Sequence, residues 1–103
     1  MIAVRITIDA GGIRAVPDPV PVLKGKMNER ISWRIATPGW RFTRDGIVIH
    51  WNLNQFTARG SDHLQEFHWR SRNTNKLRYE YTINVTNGKT YATRDPGIKN
   101  GGR

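Results

Sequence analysis

The chain has 103 residues and no cysteine, so it is sized for one domain and has no disulfide framework, thiolate zinc site, cysteine nucleophile or copper thiolate. Its hydrophobic fraction of 37% is low, but 10% aromatic content supplies large core pieces and sets it apart from disordered chains. The formal net charge is +9, from 17 Lys and Arg against 8 Asp and Glu, a balance that draws polyanions and also keeps a small domain dispersed. The cations are scattered from Arg5 to Arg103, mostly as Arg, which favours planar, bidentate contacts. No apolar run nears the roughly 20 residues a membrane helix needs, and the first nine residues lack the basic-then-apolar plan of a signal peptide. The expectation is a cytoplasmic protein.

Val4, Ile6 and Ile8 alternate with Arg5 and Thr7, so 4–8 reads as a half-buried strand, ended by a turn at Gly11 and Gly12. Prolines 17, 19 and 21 remove the donors along one side of an extended segment, which suits a sheet edge and not a central strand. After a turn at Lys24-Gly25, Ile31, Trp33 and Ile35 alternate with Ser32 and Arg34 in a second strand, broken at Pro38-Gly39. A loop over 40–46 leads to a strand over 47–51, with Ile47, Ile49 and Trp51 on one face. Residues 52–62 are polar and read as irregular, with weak helical signals over 53–58 or 62–66. A strand over 64–70 turns Phe67 and Trp69 inward. The clearest signal is 77–85, where Leu77, Tyr79, Tyr81, Ile83 and Val85 alternate with polar residues. Asn87-Gly88 is a hairpin turn with 90–93 as the return strand, Asp95-Pro96-Gly97 is a turn, and 97–103 reads as a loose tail. About six to eight short strands with regular turns predict an all-β sandwich or barrel, a single domain over 1–103.

The order of these features resembles the cupredoxins, the blue-copper β-sandwiches, over most of the chain, and the resemblance implies an all-β, cupredoxin-like Greek-key β-sandwich. The early strand, the Pro-containing segment, Lys24-Gly25 and the strand carrying Trp33 fall in the family's order. Tyr79-Glu80-Tyr81-Thr82-Ile83 is similar to its Tyr-x-Tyr-x-Cys strand, which puts Ile83 where the copper cysteine would stand. The following residues, 84–90, contain neither His nor Met. A blue-copper centre needs a Cys thiolate with two His, so the resemblance implies a copper-less member without a cofactor. The fold carries no function with it.

Three groups of residues are candidates for chemistry. Trp40, Arg41, Phe42 and Arg44, with Arg70 and Arg72, interleave aromatic rings with guanidinium groups. They are the expected contact surface of a non-catalytic binding or interaction module that takes a protein or an anionic ligand. The alternative is a single-stranded nucleic-acid-binding domain, since stacking on aromatics beside cations is how such strands are held. Trp40 stands apart because Trp33, Trp51 and Trp69 fit core positions by alternation. His50 and His68 are candidate metal ligands if their strands are neighbours, but the histidine spacings match no metal motif and scattered surface histidines are the expectation. Glu66, His68 and Arg70 share one strand face in steps of about 7 Å, the base, acid and phosphate clamp of a metal-free ribonuclease. That is the second alternative; cross-strand ion pairing accounts for the same residues. No catalytic signature is present, so the chain does not read as an enzyme.

Overall fold

Alternating apolar and polar residues drive a chain into extended segments with one dry face, and ten segments do so here. A computed structural model describes residues 1–103, the side chain of Asp62 excepted. The strands are β1 (Ile2–Asp9), β2 (Gly12–Val16), β3 (Val20–Val22), β4 (Glu29–Ile35), β5 (Arg41–Ile49), β6 (Phe56–His63), β7 (Glu66–Ser71), β8 (Arg78–Thr86), β9 (Tyr91–Arg94) and β10 (Gly97–Asn100). None of the described residues is helical. One sheet has the order β2-β1-β4-β7-β6, with β1 parallel to β4. The other runs β3-β10-β8-β5; β9 and β10 share one side of β8, and β3 is parallel to β10. The two sheets form an all-β sandwich.

Three aromatic pairs join the sheets, each with one ring from either side. Phe42 of β5 meets Phe67 of β7 at 5.6 Å, Trp33 of β4 meets Tyr81 of β8 at 5.3 Å, and Phe56 of β6 meets Tyr79 of β8 at 4.9 Å. Their tilted and edge-on geometries are the ones the ring quadrupole favours, each contributing about 0.5–1.5 kcal/mol beyond area burial. Trp33 Nε1 also donates to Tyr81 Oη at 3.0 Å, so the largest core side chain buries no orphan donor. Val, Ile and Ala side chains from both sheets fill the space around these rings.

Several segments depart from the expectations. Strand β5 starts at Arg41, not at residue 47; a bulge between Phe42 and Ile47 disguises it, because the extra residues break the period of two. Residues 52–62 hold no helix; β6 forms there with register shifts and with Ala58 at φ 54°, so its sequence shows no alternation. The expected loose tail over 97–103 is instead β10 as far as Asn100, paired on both sides, with Ile98 fully buried. With β2 and β3 also distinct, the strand count is ten. Leu77 lies outside β8 and is exposed. The Pro-rich segment does form an edge, as β3, with Val20 and Val22 buried and Pro21 outward, while Val16 is exposed.

A buried polar cluster locks the end of the sandwich where β10 finishes. Ser71 Oγ donates to Asn100 Oδ1 at 2.9 Å, and Gln55 Nε2 donates to Thr74 Oγ1 at 2.6 Å. Asn73, fully buried at φ 57°, donates to Leu23 O at 2.8 Å and accepts from Gly102 N at 3.0 Å. These amides replace water for backbone groups that the short strands leave over.

The Trp33–Tyr81 contact yields the first prediction. Tyr81→Phe strips the acceptor from a buried indole N–H, so stability falls by about 1–3 kcal/mol. A shift of the urea midpoint worth less than 0.5 kcal/mol would contradict this reading. Burial raises the Tyr81 phenol well above its ordinary range, with the Trp33 hydrogen bond opposing. The unfolded phenol ionises near pH 10 while the folded one stays protonated, so stability holds below about pH 10 and declines above it. That alkaline decline is absent in Tyr81→Phe.

Candidate functional site

The residues expected to form one contact surface fall in two places. Trp40 is half-buried against the core, and its carbonyl accepts from Gln65 Nε2 at 3.1 Å; it caps the sandwich end. Phe42 is buried on Phe67. Arg41 and Arg44 are exposed, and the Arg44 carbonyl accepts from Arg59 Nη2 at 2.6 Å. Arg59 reaches from β6 across the open side of the sandwich, its guanidinium 5.2 Å from the Phe67 ring centre. Arg70 and Arg72 lie at or beyond the other end of β7, past four to six residues, roughly 13–20 Å from the Trp40 end. They do not extend the Trp40 surface.

His50 lies one residue past the end of β5, a strand of one sheet, and His68 lies in β7 of the other. His50 Nε2 is 2.5 Å from Thr82 Oγ1 of β8, while His68 Nδ1 is 3.3 Å from Arg30 Nη2 of β4. Among the described residues no group of three or more His, Asp or Glu side chains is placed to hold a metal ion. Glu66, His68 and Arg70 do share the outer face of β7. There Glu66 lies 3.8 Å from Arg34 Nε, and Arg70 Nη1 donates to Asn28 O at 3.0 Å.

The registers show a wider pattern on that outer face. One cross-strand row reads Val16, Arg5, Arg34, Glu66 and His63. The next reads Ala3, Ser32, His68 and Gly60, and a third reads Arg30, Arg70 and Thr57. Two rows therefore carry arginines on directly paired positions, Arg5 beside Arg34 and Arg30 beside Arg70. Between them runs a row that is small at Ala3, Ser32 and Gly60 and carries His68. The His68 ring lies over Gly60, where a Cβ would come within 2.4 Å of it. A depression of about 680 Å³ is lined by Ala3, Ser32, Arg5, Arg34 and Glu66 and runs on toward Ala36, Pro38 and Gln65, away from the Arg30 and Arg70 row. Arg14 stands beyond Thr7 on the same face. Alternation placed Arg5 and Arg34 on the polar faces of their strands; only the registers set them side by side.

A second surface lies at the end of the sandwich away from Trp40. Strand β5 stops at Ile49, and the backbone turns left-handed at Trp51 (φ 50°), Leu53 (φ 51°) and Asn54 (φ 59°). This throws Trp51 out of the core, where alternation had placed it, and leaves it 88% exposed with Leu53 at 62%. The loop is nonetheless fastened. Asn52 Oδ1 accepts from Phe56 N at 2.7 Å and its Nδ2 donates to Phe56 O at 3.0 Å, while His50 N donates to Glu80 O at 2.9 Å. Positive φ is a true outlier for bulky residues and costs of order 1–3 kcal/mol each. Trp69, by contrast, is half-buried and donates from Nε1 to Ile47 O at 3.0 Å. Asn52, four residues before Phe56, was the one sequence hint of this turn, since Asn side chains bond nearby backbone.

No family model matches the chain, and no curated protein matches it in sequence.

The placement of the histidines is testable by Zn²⁺ titration followed through ring proton signals. His50 and His68 face opposite sides of the core, so their signals do not shift together at one stoichiometric equivalent; a joint shift would overturn the placement.

Proposed function

We propose that this chain is a non-catalytic binding module on a copper-less, cupredoxin-like sandwich, and that its contact surface is the end carrying Trp51 and Leu53. Support for the fold reading comes from the two parallel pairings, β1 with β4 and β3 with β10, added to the order of sequence features. Ile83, at the place the resemblance gives to a copper cysteine, is fully buried core opposite Ile47. The surface reading rests on one observation: a fastened loop holds a tryptophan in solvent at a backbone angle that disfavours it. Strain of this kind persists where surrounding structure enforces it and collects at binding sites. Tryptophan and arginine are the side chains on which interfaces most depend, and exposed Arg72 follows directly, its backbone N donating to Gln55 O at 2.6 Å. The contact surface thus moves from Trp40 to Trp51.

Two measurements test this. Trp51→Gly relieves the left-handed strain and removes little packing, so stability rises by about 1 kcal/mol; a fall of that size would mean that Trp51 serves the fold. A photo-crosslinking residue at Leu53, expressed in the native host, forms one discrete adduct that Trp51→Gly abolishes. An adduct unchanged by Trp51→Gly, or no adduct, would count against the surface.

A further inference from the structure

The acids and the exposed apolar side chains of this chain are spread unequally over its surface. None of the eight Asp and Glu falls within 19–28, 46–61, 67–79 or 96–103. The fold brings these four stretches together at one end of the sandwich, joined by hydrogen bonds. Gln55 Nε2 donates to Thr74 Oγ1 at 2.6 Å, and Gln55 O accepts from Arg72 N at 2.6 Å. Asn73 Nδ2 donates to Leu23 O at 2.8 Å and to Lys26 O at 3.2 Å, and Gly25 N donates to Gly102 O at 2.8 Å. Lys24, Lys26, Arg72, Lys76 and Lys99 stand on these stretches, all exposed. None of the five takes part in an ion pair among the described residues. Lys99 Nζ donates to the Lys76 carbonyl, a neutral acceptor that leaves its charge open.

The same end carries apolar side chains that the core does not take. Five of the ten exposed large apolar side chains among the described residues, Leu23, Met27, Trp51, Leu53 and Leu77, lie on these stretches. Trp51, at 88% exposure, lines no groove in which a peptide could seat; it projects from its loop. Projecting apolar groups beside cations, with no acid among them, match an anionic bilayer. Tryptophan and leucine enter at the headgroup level while ammonium and guanidinium groups meet lipid phosphates. A nucleic-acid strand would instead ask for several rings along a cationic groove, and Trp51 is the one exposed ring on these stretches. We infer that this end docks peripherally on a membrane surface rich in anionic phospholipid. Trp51, Leu53 and Leu77 enter the interface, and Lys24, Lys26, Arg72, Lys76 and Lys99 hold headgroups. The inference rests on the Trp51 surface proposed above and names its partner. The fastened left-handed loop keeps Trp51 outward before a bilayer is met, so little ordering is left to the moment of docking.

The test is sedimentation with sucrose-loaded vesicles, read alongside tryptophan emission. Trp33 is buried and Trp40 and Trp69 are half-buried, so a blue shift on adding vesicles reports Trp51 leaving water. Vesicles of 70% phosphatidylcholine and 30% phosphatidylserine bind the chain and shift its emission; pure phosphatidylcholine binds it at least tenfold more weakly. A cation near an anionic surface contributes about 1 kcal/mol, or about fivefold, so Lys24→Ala/Lys76→Ala lowers partitioning at least tenfold. Lys89→Ala/Arg94→Ala removes the same charge elsewhere and changes it less than threefold. Leu53→Ser/Leu77→Ser keeps Trp51 as reporter and lowers partitioning at least tenfold. Because both side chains are exposed, its unfolding temperature stays near that of the wild type. Failure of the anionic vesicles to bind at 100 mM salt, or equal losses in the two charge variants, overturns the inference. So does binding of a labelled twelve-nucleotide oligothymidylate without binding of vesicles. The crosslinker at Leu53 separates the lipid assignment from the surface itself. A phospholipid adduct supports both; a protein adduct without vesicle binding overturns the lipid and leaves the surface standing; no adduct removes both.

Discussion

Two β-sheets with short strands have few ways to stay in register face to face, and here the constraint is aromatic. The Trp33 indole bonded to the Tyr81 phenol is one of three ring pairs, each spanning the gap between sheets, and Trp33 stands directly across from Phe67 of a second pair. A directional N–H···O bond in a dry core fixes both rings at once, since sliding either sheet would strand a buried donor. The other two pairs then fix the angle between sheets. Bulged β5 and irregular β6 each keep one ring in these pairs, Phe42 and Phe56, so their register shifts fall between residues that the core already holds.

That arrangement also sorts the aromatic residues. Six of them are consumed by the ring pairs, Trp69 is tied to the Ile47 carbonyl, and Trp40 closes an end. Trp51 and Tyr91 are left fully outside. The arginines are sorted differently, by strand parity, and the parallel pairing of β1 with β4 sets two of them side by side. The Trp51 surface is thus made by a departure from regular backbone and the arginine pairing by strict adherence to it.

Alternation was enough to read β1, β4 and β8, because each buries one continuous apolar face. The Asn87-Gly88 hairpin followed from turn chemistry, with Gly88 at φ 91°. Strands whose burial depends on neighbours were not legible. β10 has one apolar residue, Ile98, and owes its place to pairing on both sides and to the Asn100 hydrogen bond. Trp51 was misplaced because period-two reasoning assumes that the strand continues, and a left-handed residue reverses the face. Of the candidate surfaces, Arg70 was legible as exposed, but its neighbour Arg30 lies forty residues away and only register joins them. Sequence pattern assigns faces; it does not assign neighbours.

The position of β10 has a kinetic consequence. It sits between β3 and β8, and the same junction is clasped by Gly97 N donating to Asp18 Oδ1, a contact across 79 positions. Until that junction closes, β3 has no partner strand and the stretch of β8 from Arg78 to Glu80 lacks its pairing with β10. Such long-range pairing must meet its loop-closure cost before it returns any stabilisation, which makes folding slow compared with helical domains of this size. The open form exposes apolar strand edges, a state prone to association with other unfolded chains. The high net charge then has a use unrelated to any ligand: mutual repulsion keeps those intermediates apart while the junction forms.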